Sequence, residues 1–311
     1  MKYAFIFPGQ GSQAIGMGKD FYDESPLAKE LIDNASDILK LDMKNLLFNP
    51  NDDINLTQFT QPAILLVSYI AHRLFAQSCD IKPTFALGHS LGEITANLIS
   101  GSLSFENALR LVYERGKLMQ KVCEGKDAGM AVVLGLSDES LQKFCDEREE
   151  NASGKIWCAN FNGDGQCVLA GYKVDLMIAE GDIKNLGAKR FLLLPMSIAS
   201  HCPLLEPMSK DFFALAKQYL EDNFECEIIA NATLESYCDK DLAVNLLTKQ
   251  LTLPVLYKQS IKKIESQVDC FVEFGYGAVL KGLNKRLSAK PTHSIGTIQS
   301  LNAALKELGQ N

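Results

Sequence analysis

Hydrophobic positions along the chain follow two different rhythms. Tyr3-Ala4-Phe5-Ile6-Phe7 and Phe85-Ala86-Leu87 are continuous apolar runs that end at glycine or proline, the pattern of strands covered on both faces. Elsewhere the apolar spacing changes to three and four. Leu27, Leu31, Ala35 and Ile38 predict a helix from Pro26 to about Leu39. A second helix is predicted over Gln61–Ala76, with Pro62 in its first turn. Further helical patterns run from Ile94 to Ile99 and from Phe105 to Val122, the latter capped by Ser104 with Asn107 at the third helical position. Strand and helix alternate through this part, which predicts a parallel sheet with helical crossovers.

The middle of the chain has its own order. Met130–Leu134 reads as a strand, Asp138–Glu149 as a helix capped by Ser137, and Ile156–Ala159 and Cys167–Ala170 as short strands around Asn162-Gly163-Asp164-Gly165. A helix over Tyr172–Leu186 and a strand over Arg190–Leu194 follow. This βαββαβ order is that of the ferredoxin-like unit. Residues 125–196 are therefore expected to form a small subdomain inserted in a larger one built from 1–124 and 197–311. Past Pro195 the pattern predicts helices over Pro203–Leu220, Leu242–Gln250 and Gly277–Leu287, and strands over Glu225–Ala230 and Asp269–Glu273.

Composition narrows the functional classes. A hydrophobic fraction of 47% with 22% charged residues belongs to a globular chain with a real core. A net charge of −7 argues against a nucleic-acid partner, since phosphate binding rests on an excess of Lys and Arg. The apolar run Ala63–Ala71 stops at His72-Arg73, short of a membrane span. Tyr3–Phe7 is too short for a signal-peptide core and runs into Pro8-Gly9. The nine scattered cysteines include no Cys-x-x-Cys, which suits a reduced, cytoplasmic protein. The four histidines show no metal-ligand spacing, so no metal is expected.

The chemistry centres on Gly88-His89-Ser90-Leu91-Gly92-Glu93, which joins an apolar strand to a helical pattern. Strand, Gly-x-Ser-x-Gly, helix is the layout of a nucleophile elbow. The glycines permit a sharp turn, and the N–H of Leu91 falls at a helix N-terminus, where it can hold an oxyanion. A serine at its ordinary pKa needs a base. His89 adjoins Ser90 but points elsewhere across such a turn, and His72 is expected on a solvated helix face. His201, in a loop of small residues, is favoured over His293, which stays open. No single Asp or Glu between Ser90 and the histidines stands out as a third triad member, which argues against an ordinary esterase.

Several motifs together resemble the malonyl-CoA:acyl-carrier-protein transacylases of bacterial fatty-acid synthesis and the acyltransferase domains of polyketide synthases. They are Phe7-Pro8-Gly9-Gln10-Gly11-Ser12-Gln13, Gly88–Glu93, Arg115-Gly116-x-x-Met119, Ala159-Asn160-x-Asn162, Ser200-His201 and Gln250-Leu251-x-x-Pro254-Val255, in family order over nearly the whole chain. The resemblance implies an α/β fold with a hydrolase-like parallel-sheet core and an inserted ferredoxin-like small subdomain. It implies Ser90 as nucleophile, His201 as general base and acid, and the main-chain carbonyl of Gln250 in place of a triad carboxylate. Gln10 and Leu91 would supply the oxyanion N–H groups. Arg115 would pair with an acyl carboxylate, and Met119, Asn160 and Asn162 would line the substrate site. Malonyl-CoA and acyl carrier protein would be the partners, with no cofactor and no membrane.

A guanidinium binds a carboxylate through two parallel bonds, so Arg115 favours malonyl or methylmalonyl over acetyl groups. From its position alone Arg115 reads rather as a surface residue pairing with Glu114 or a nearby acid. Met119, four residues on, shares its helix face. Three positions depart from the family pattern: Tyr276 replaces a common proline, Leu205 a common methionine, and Ser200 the phenylalanine of many polyketide domains. Other readings fit less well. Gly9-x-Gly11-x-x-Ala14 matches a dinucleotide fingerprint, but Lys29–Leu39, where the second strand belongs, is helical. A thioesterase lacks a use for Arg115. Lys189-Arg190 and Lys281–Arg286 are candidate contacts for an acidic carrier.

Overall fold

The computed structural model describes residues 1–151 and 154–310. Its strands are, in chain order, β1 (Tyr3–Phe7), β2 (Phe85–Gly88), β3 (Ala128–Leu134), β4 (Ile156–Gly163), β5 (Gln166–Tyr172), β6 (Arg190–Leu193), β7 (Glu227–Ile229), β8 (Ser236–Tyr237), β9 (Cys270–Phe274) and β10 (Thr292–Ile295). They form two sheets, of order β10-β9-β1-β2-β7-β8 and β4-β5-β3-β6. The architecture is the expected α/β one, a sheet of mostly parallel strands beside a separate antiparallel sheet.

β1 lies in the middle of the first sheet, and all five of its residues are buried, as its unbroken apolar run requires. Its register sets the site. Phe7 lies beside Gly88 and Ile6 beside Glu273, so the loops after β1, β2 and β9 leave the sheet at one edge. Open parallel sheets bind ligands at such carboxyl ends. The departure from an all-parallel sheet is β8, which pairs antiparallel with β7. The turn between them is closed by Leu234 N–H to Ala230 O at 3.1 Å, and a connection that short permits only antiparallel pairing.

The second sheet is antiparallel throughout, and its strand order is that of a ferredoxin-like unit. The helices Asp138–Glu150 and Lys173–Asn185 cover one face, where Ala131, Val133, Leu141, Cys145, Ile156, Leu169, Leu176 and Ile183 pack together. Strand alternation turns Met130 and Val168 to the other face, towards the first sheet.

Element boundaries differ from expectation in several places. The helix expected from Gln61 runs over Thr57–Ser78, which puts Pro62 in its second turn. The added turn is held by Thr60, whose Oγ1 donates to Ile54 O at 2.7 Å. The helix expected over Pro203–Leu220 is a 3-10 segment, Pro203–Met208, followed by an α-helix, Ser209–Tyr219. Pro207 has no N–H for an α-helical bond there. β4 and β5 extend to a tight turn at Asp164-Gly165, so Asn162 lies in a strand. His72 is not on a solvated face. Its ring packs edge-on against Phe5 and Phe274, with centroids 5.7 and 5.3 Å away.

Candidate active site

The elbow is forced by contact distances. A Cβ on Gly88 would lie 2.0 Å from Gly92 C, and one on Gly92 would lie 2.0 Å from Phe7 O. Neither position tolerates a side chain, which explains the glycines on both sides of Ser90. Ser90 itself sits at φ 54°, ψ −105°, outside the common basins, at a cost of order 1–3 kcal/mol. Asn231 fixes that backbone: its Oδ1 accepts from Ser90 N–H at 2.7 Å, and its Nδ2 donates to Gly88 O at 2.7 Å. Beyond Ser90 the helix Leu91–Ser100 begins. Its second and third N–H groups, of Gly92 and Glu93, bond to His89 O and Ser90 O, both at 3.0 Å. Leu91, as first helical residue, has no intrahelical acceptor and lines the cavity in front of Ser90.

His201 lies 111 positions along the chain from Ser90, yet its Nε2 is 2.8 Å from Ser90 Oγ. Its Nδ1 is 2.7 Å from the main-chain oxygen of Gln250, the residue that caps the helix Lys240–Lys249. A carbonyl oxygen only accepts, so Nδ1 carries the proton and Nε2 is free to accept from the serine hydroxyl. The residue is 3% exposed. Burial, and then the nearby Arg115 charge, hold its pKa down at about 3, so the imidazole is neutral at neutral pH. His293 instead pairs with Glu307 at 2.6 Å.

Arg115 is 1% exposed and does not pair with Glu114, which takes Lys117 at 2.9 Å. The helix Phe105–Cys123 carries Arg115 inward because Gly116 lets that helix sit against the chain at Thr57-Gln58, where a Cβ would come within 2.6 Å of Gln58 Cα. Nη1 donates to Gln61 Oε1 at 3.0 Å, and Nη2 reaches Gln250 Oε1 at 3.1 Å and Ser90 Oγ at 3.2 Å. Nε is buried with no partner among the described residues. Burial lowers its pKa to about 10, and it remains a cation at neutral pH.

A cavity of about 480 Å³ opens in front of Ser90, lined in part by Gln10, Leu91, Arg115, Met119, Asn160, Asn162 and His201. Gln250 stands behind it. Gln10 is held by Nε2 to Thr57 Oγ1 at 3.2 Å, and the adjacent Gly9 packs so closely on the elbow that a Cβ would lie 2.3 Å from His89 O. Asn162 Oδ1 bonds His89 Nε2 at 2.7 Å, which makes His89 a brace between elbow and second sheet. Asn160 bridges to Val255 beside it. Met119 Sδ accepts from Gln61 Nε2 at 3.2 Å. All nine residues read from the sequence thus meet at one site.

Sequence reasoning missed three residues that hold this site: Gln61, Glu93 and Asn231. Glu93 was visible as the last residue of the elbow motif. Gln61 and Asn231 carry no local signal. Among the described residues, no group of three or more His, Cys, Asp or Glu could hold a metal ion, and no helix is long and apolar enough to cross a membrane.

The acyl transferase domain family matches residues 4–304. The malonyl CoA-acyl carrier protein transacylase of Escherichia coli is 36% identical over 313 aligned residues, 99% of each chain. The crystal structure of malonyl-CoA:acyl carrier protein transacylase from Helicobacter pylori superposes with a TM-score of 0.96 at 53% identity, covering 100% of this chain and 99% of that one. A malonyl-transacylase in complex with its type II PKS acyl-carrier protein superposes at 0.94 with 32% identity, covering 99% and 100%. The chain therefore belongs to the malonyl CoA-acyl carrier protein transacylase family of acyl transferases.

Proposed function

We propose that this enzyme moves a malonyl group from malonyl-CoA to the phosphopantetheine thiol of acyl carrier protein in fatty-acid synthesis, by way of an ester on Ser90. One observation carries the assignment of residues: a buried guanidinium, Arg115, lies 3.2 Å from the hydroxyl that His201 is placed to deprotonate.

Ser90 gives its proton to His201 Nε2 as Oγ attacks the thioester carbonyl carbon. The negative charge that develops on the carbonyl oxygen is held by the N–H groups of Leu91 and Gln10. The C–S bond breaks, and the CoA sulfur leaves with the proton from His201. The carrier thiol then gives its proton to His201 and attacks the ester, and His201 returns that proton to Ser90 as the C–O bond breaks. A main-chain carbonyl behind His201 raises its basicity less than a carboxylate would. Arg115 binds the malonyl carboxylate, and the incoming negative charge offsets the Arg115 cation, which after burial is the second cause of the lowered His201 pKa. Met119, Asn160 and Asn162 shape the pocket around the acyl group.

The steps use side chains, backbone N–H groups and the acceptor thiol, and call for no cofactor. Residues 1–124 with 197–311 form the subdomain that carries the nucleophile in this reading, and 125–196 the subdomain that closes over it. The exposed Lys189, Arg190, Lys285 and Arg286 are the contacts offered to an acidic carrier. All nine cysteines are free thiols, which supports a cytoplasmic location.

The test is transfer to carrier with malonyl-CoA and acetyl-CoA as competing donors. Arg115→Ala is expected to lower kcat/KM for malonyl-CoA about a hundredfold or more and to favour acetyl by comparison. An unchanged donor preference would mean that the carboxylate is bound elsewhere.

A further inference from the structure

Glu93 is fully buried, and no step above uses it. A carboxylate taken out of water is costly unless its oxygens are bonded. Here every contact is a donor: Asn231 N–H at 2.9 Å and Gln250 Nε2 at 2.7 Å to Oε2, and Tyr237 O–H at 3.0 Å to Oε1. Tyr237 is in turn bonded by Asn97 Nδ2 at 2.8 Å. Burial raises its pKa to about 7, and these three donors favour the ionised form against that burial.

The bond to Gln250 has a directional consequence. A side-chain amide has one oxygen end and one NH₂ end. With its NH₂ on Glu93 Oε2, Gln250 must present its oxygen to Arg115 Nη2, 3.1 Å away. The reversed amide would set NH₂ against the guanidinium and oxygen against the carboxylate, two repulsive contacts. Gln250 therefore has two separable parts. Its main chain orients His201, and its side chain links Glu93 to Arg115 while its NH₂ also donates to Ser90 O at 3.1 Å. The same Arg115 nitrogen, Nη2, also reaches Ser90 Oγ at 3.2 Å, so the amide of Gln250 and the serine hydroxyl share one donor group of Arg115.

We propose that Glu93 is a positioning residue for donor selection: its carboxylate fixes the amide of Gln250, which holds Arg115 in place beside Ser90. The proposal rests on the reading of Ser90 and Arg115 given above. Glu93 also supports the elbow, since Asn231 binds both Glu93 and Ser90. A purely structural role would weaken all donors alike, so the ratio of donors is what separates the two.

The experiment measures kcat/KM with malonyl-CoA and with acetyl-CoA for wild type, Glu93→Gln and Gln250→Met, each first checked for folding by thermal melting. Glu93→Gln replaces a charged two-oxygen acceptor with one oxygen and one NH₂. Gln250→Met keeps the carbonyl behind His201 and removes only the amide. In both variants the malonyl-to-acetyl ratio is expected to fall about tenfold. A ratio kept at the wild-type value in either folded variant, whether or not both rates drop, overturns the proposal. If Glu93→Gln does not fold, Gln250→Met decides alone. Arg115→Ala runs alongside. If it too keeps the ratio, the reading of Arg115 has failed; if it alone shifts the ratio, only the role of Glu93 has.

Discussion

At the scale of the residue, the site is three polar groups arranged around one hydroxyl. Ser90 Oγ touches His201 Nε2 and Arg115 Nη2, and the main chain of Gln250 sets the tautomer of His201. Burial and Arg115 keep that imidazole neutral far below the usual histidine range. In the free enzyme the ring carbons of His201 are expected to show no titration by NMR between about pH 8 and pH 5. A midpoint in the ordinary histidine range, about 6.5, would contradict the depressed value. Ser90 and His201 were legible in the sequence because an elbow and a small-residue loop leave marks in residue type. The part Gln250 plays was not legible from its chemistry, since any residue owns a main-chain carbonyl; it came through resemblance. The burial of Arg115 was equally hidden. It depends on Gly116 meeting a second helix, a contact between segments far apart in the chain.

At the scale of the element, the strand-to-helix turn is the most constrained piece of the molecule. Gly92→Ala would drive a methyl group into Phe7 O, where a Cβ has only 2.0 Å. Since backbone must move to relieve it, the variant is expected to lose several degrees of melting temperature and at least about tenfold of its acylation rate. A variant with the wild-type rate and melting temperature would show that the elbow yields more easily than its packing suggests. Local sequence carried the elements with strong periodicity and caps: Pro26–Leu39 is reproduced to the residue, and Ser104 and Ser137 do cap their helices. It failed where contacts outside the periodic segment decide. Thr60 adds a turn ahead of Pro62 by bonding a preceding segment. β10 and the helices Tyr257–Ile264 and Ile298–Glu307, for which no element was expected, are short pieces stabilised by tertiary packing, β10 as an edge strand and Tyr257–Ile264 against Ala4, Ile6, Phe85 and Leu87 of the central strands.

At the scale of the whole molecule, burial lowers the pKa of three histidines, His72, His89 and His201. His72 is held at about pKa 4, chiefly by burial among Phe5 and Phe274 and secondarily by Arg73. Its unfolded value is higher, so the fold binds fewer protons than the unfolded chain. The contribution of His72 is therefore complete above about pH 6.5 and is lost as pH falls through about 4. His201 adds a loss of the same sign. His72→Phe is expected to shrink the drop in unfolding free energy between pH 7 and pH 4.5 by up to about 3 kcal/mol. Denaturant titrations at both pH values check this, and an undiminished drop would place the acid sensitivity elsewhere. Glu93, raised to about 7 by burial, has the opposite sign: its cost is absent below about pH 4.5 and grows as pH rises through 7.

A malonyl group is expected to rest on Ser90 between donor and carrier. Enzyme mixed with malonyl-CoA, acid-quenched and digested should yield a malonylated peptide containing Ser90, and added holo carrier protein should remove the label by becoming malonylated itself. Ser90→Ala should carry no label. Label that persists in Ser90→Ala, or label on wild type that the carrier cannot discharge, would contradict the account.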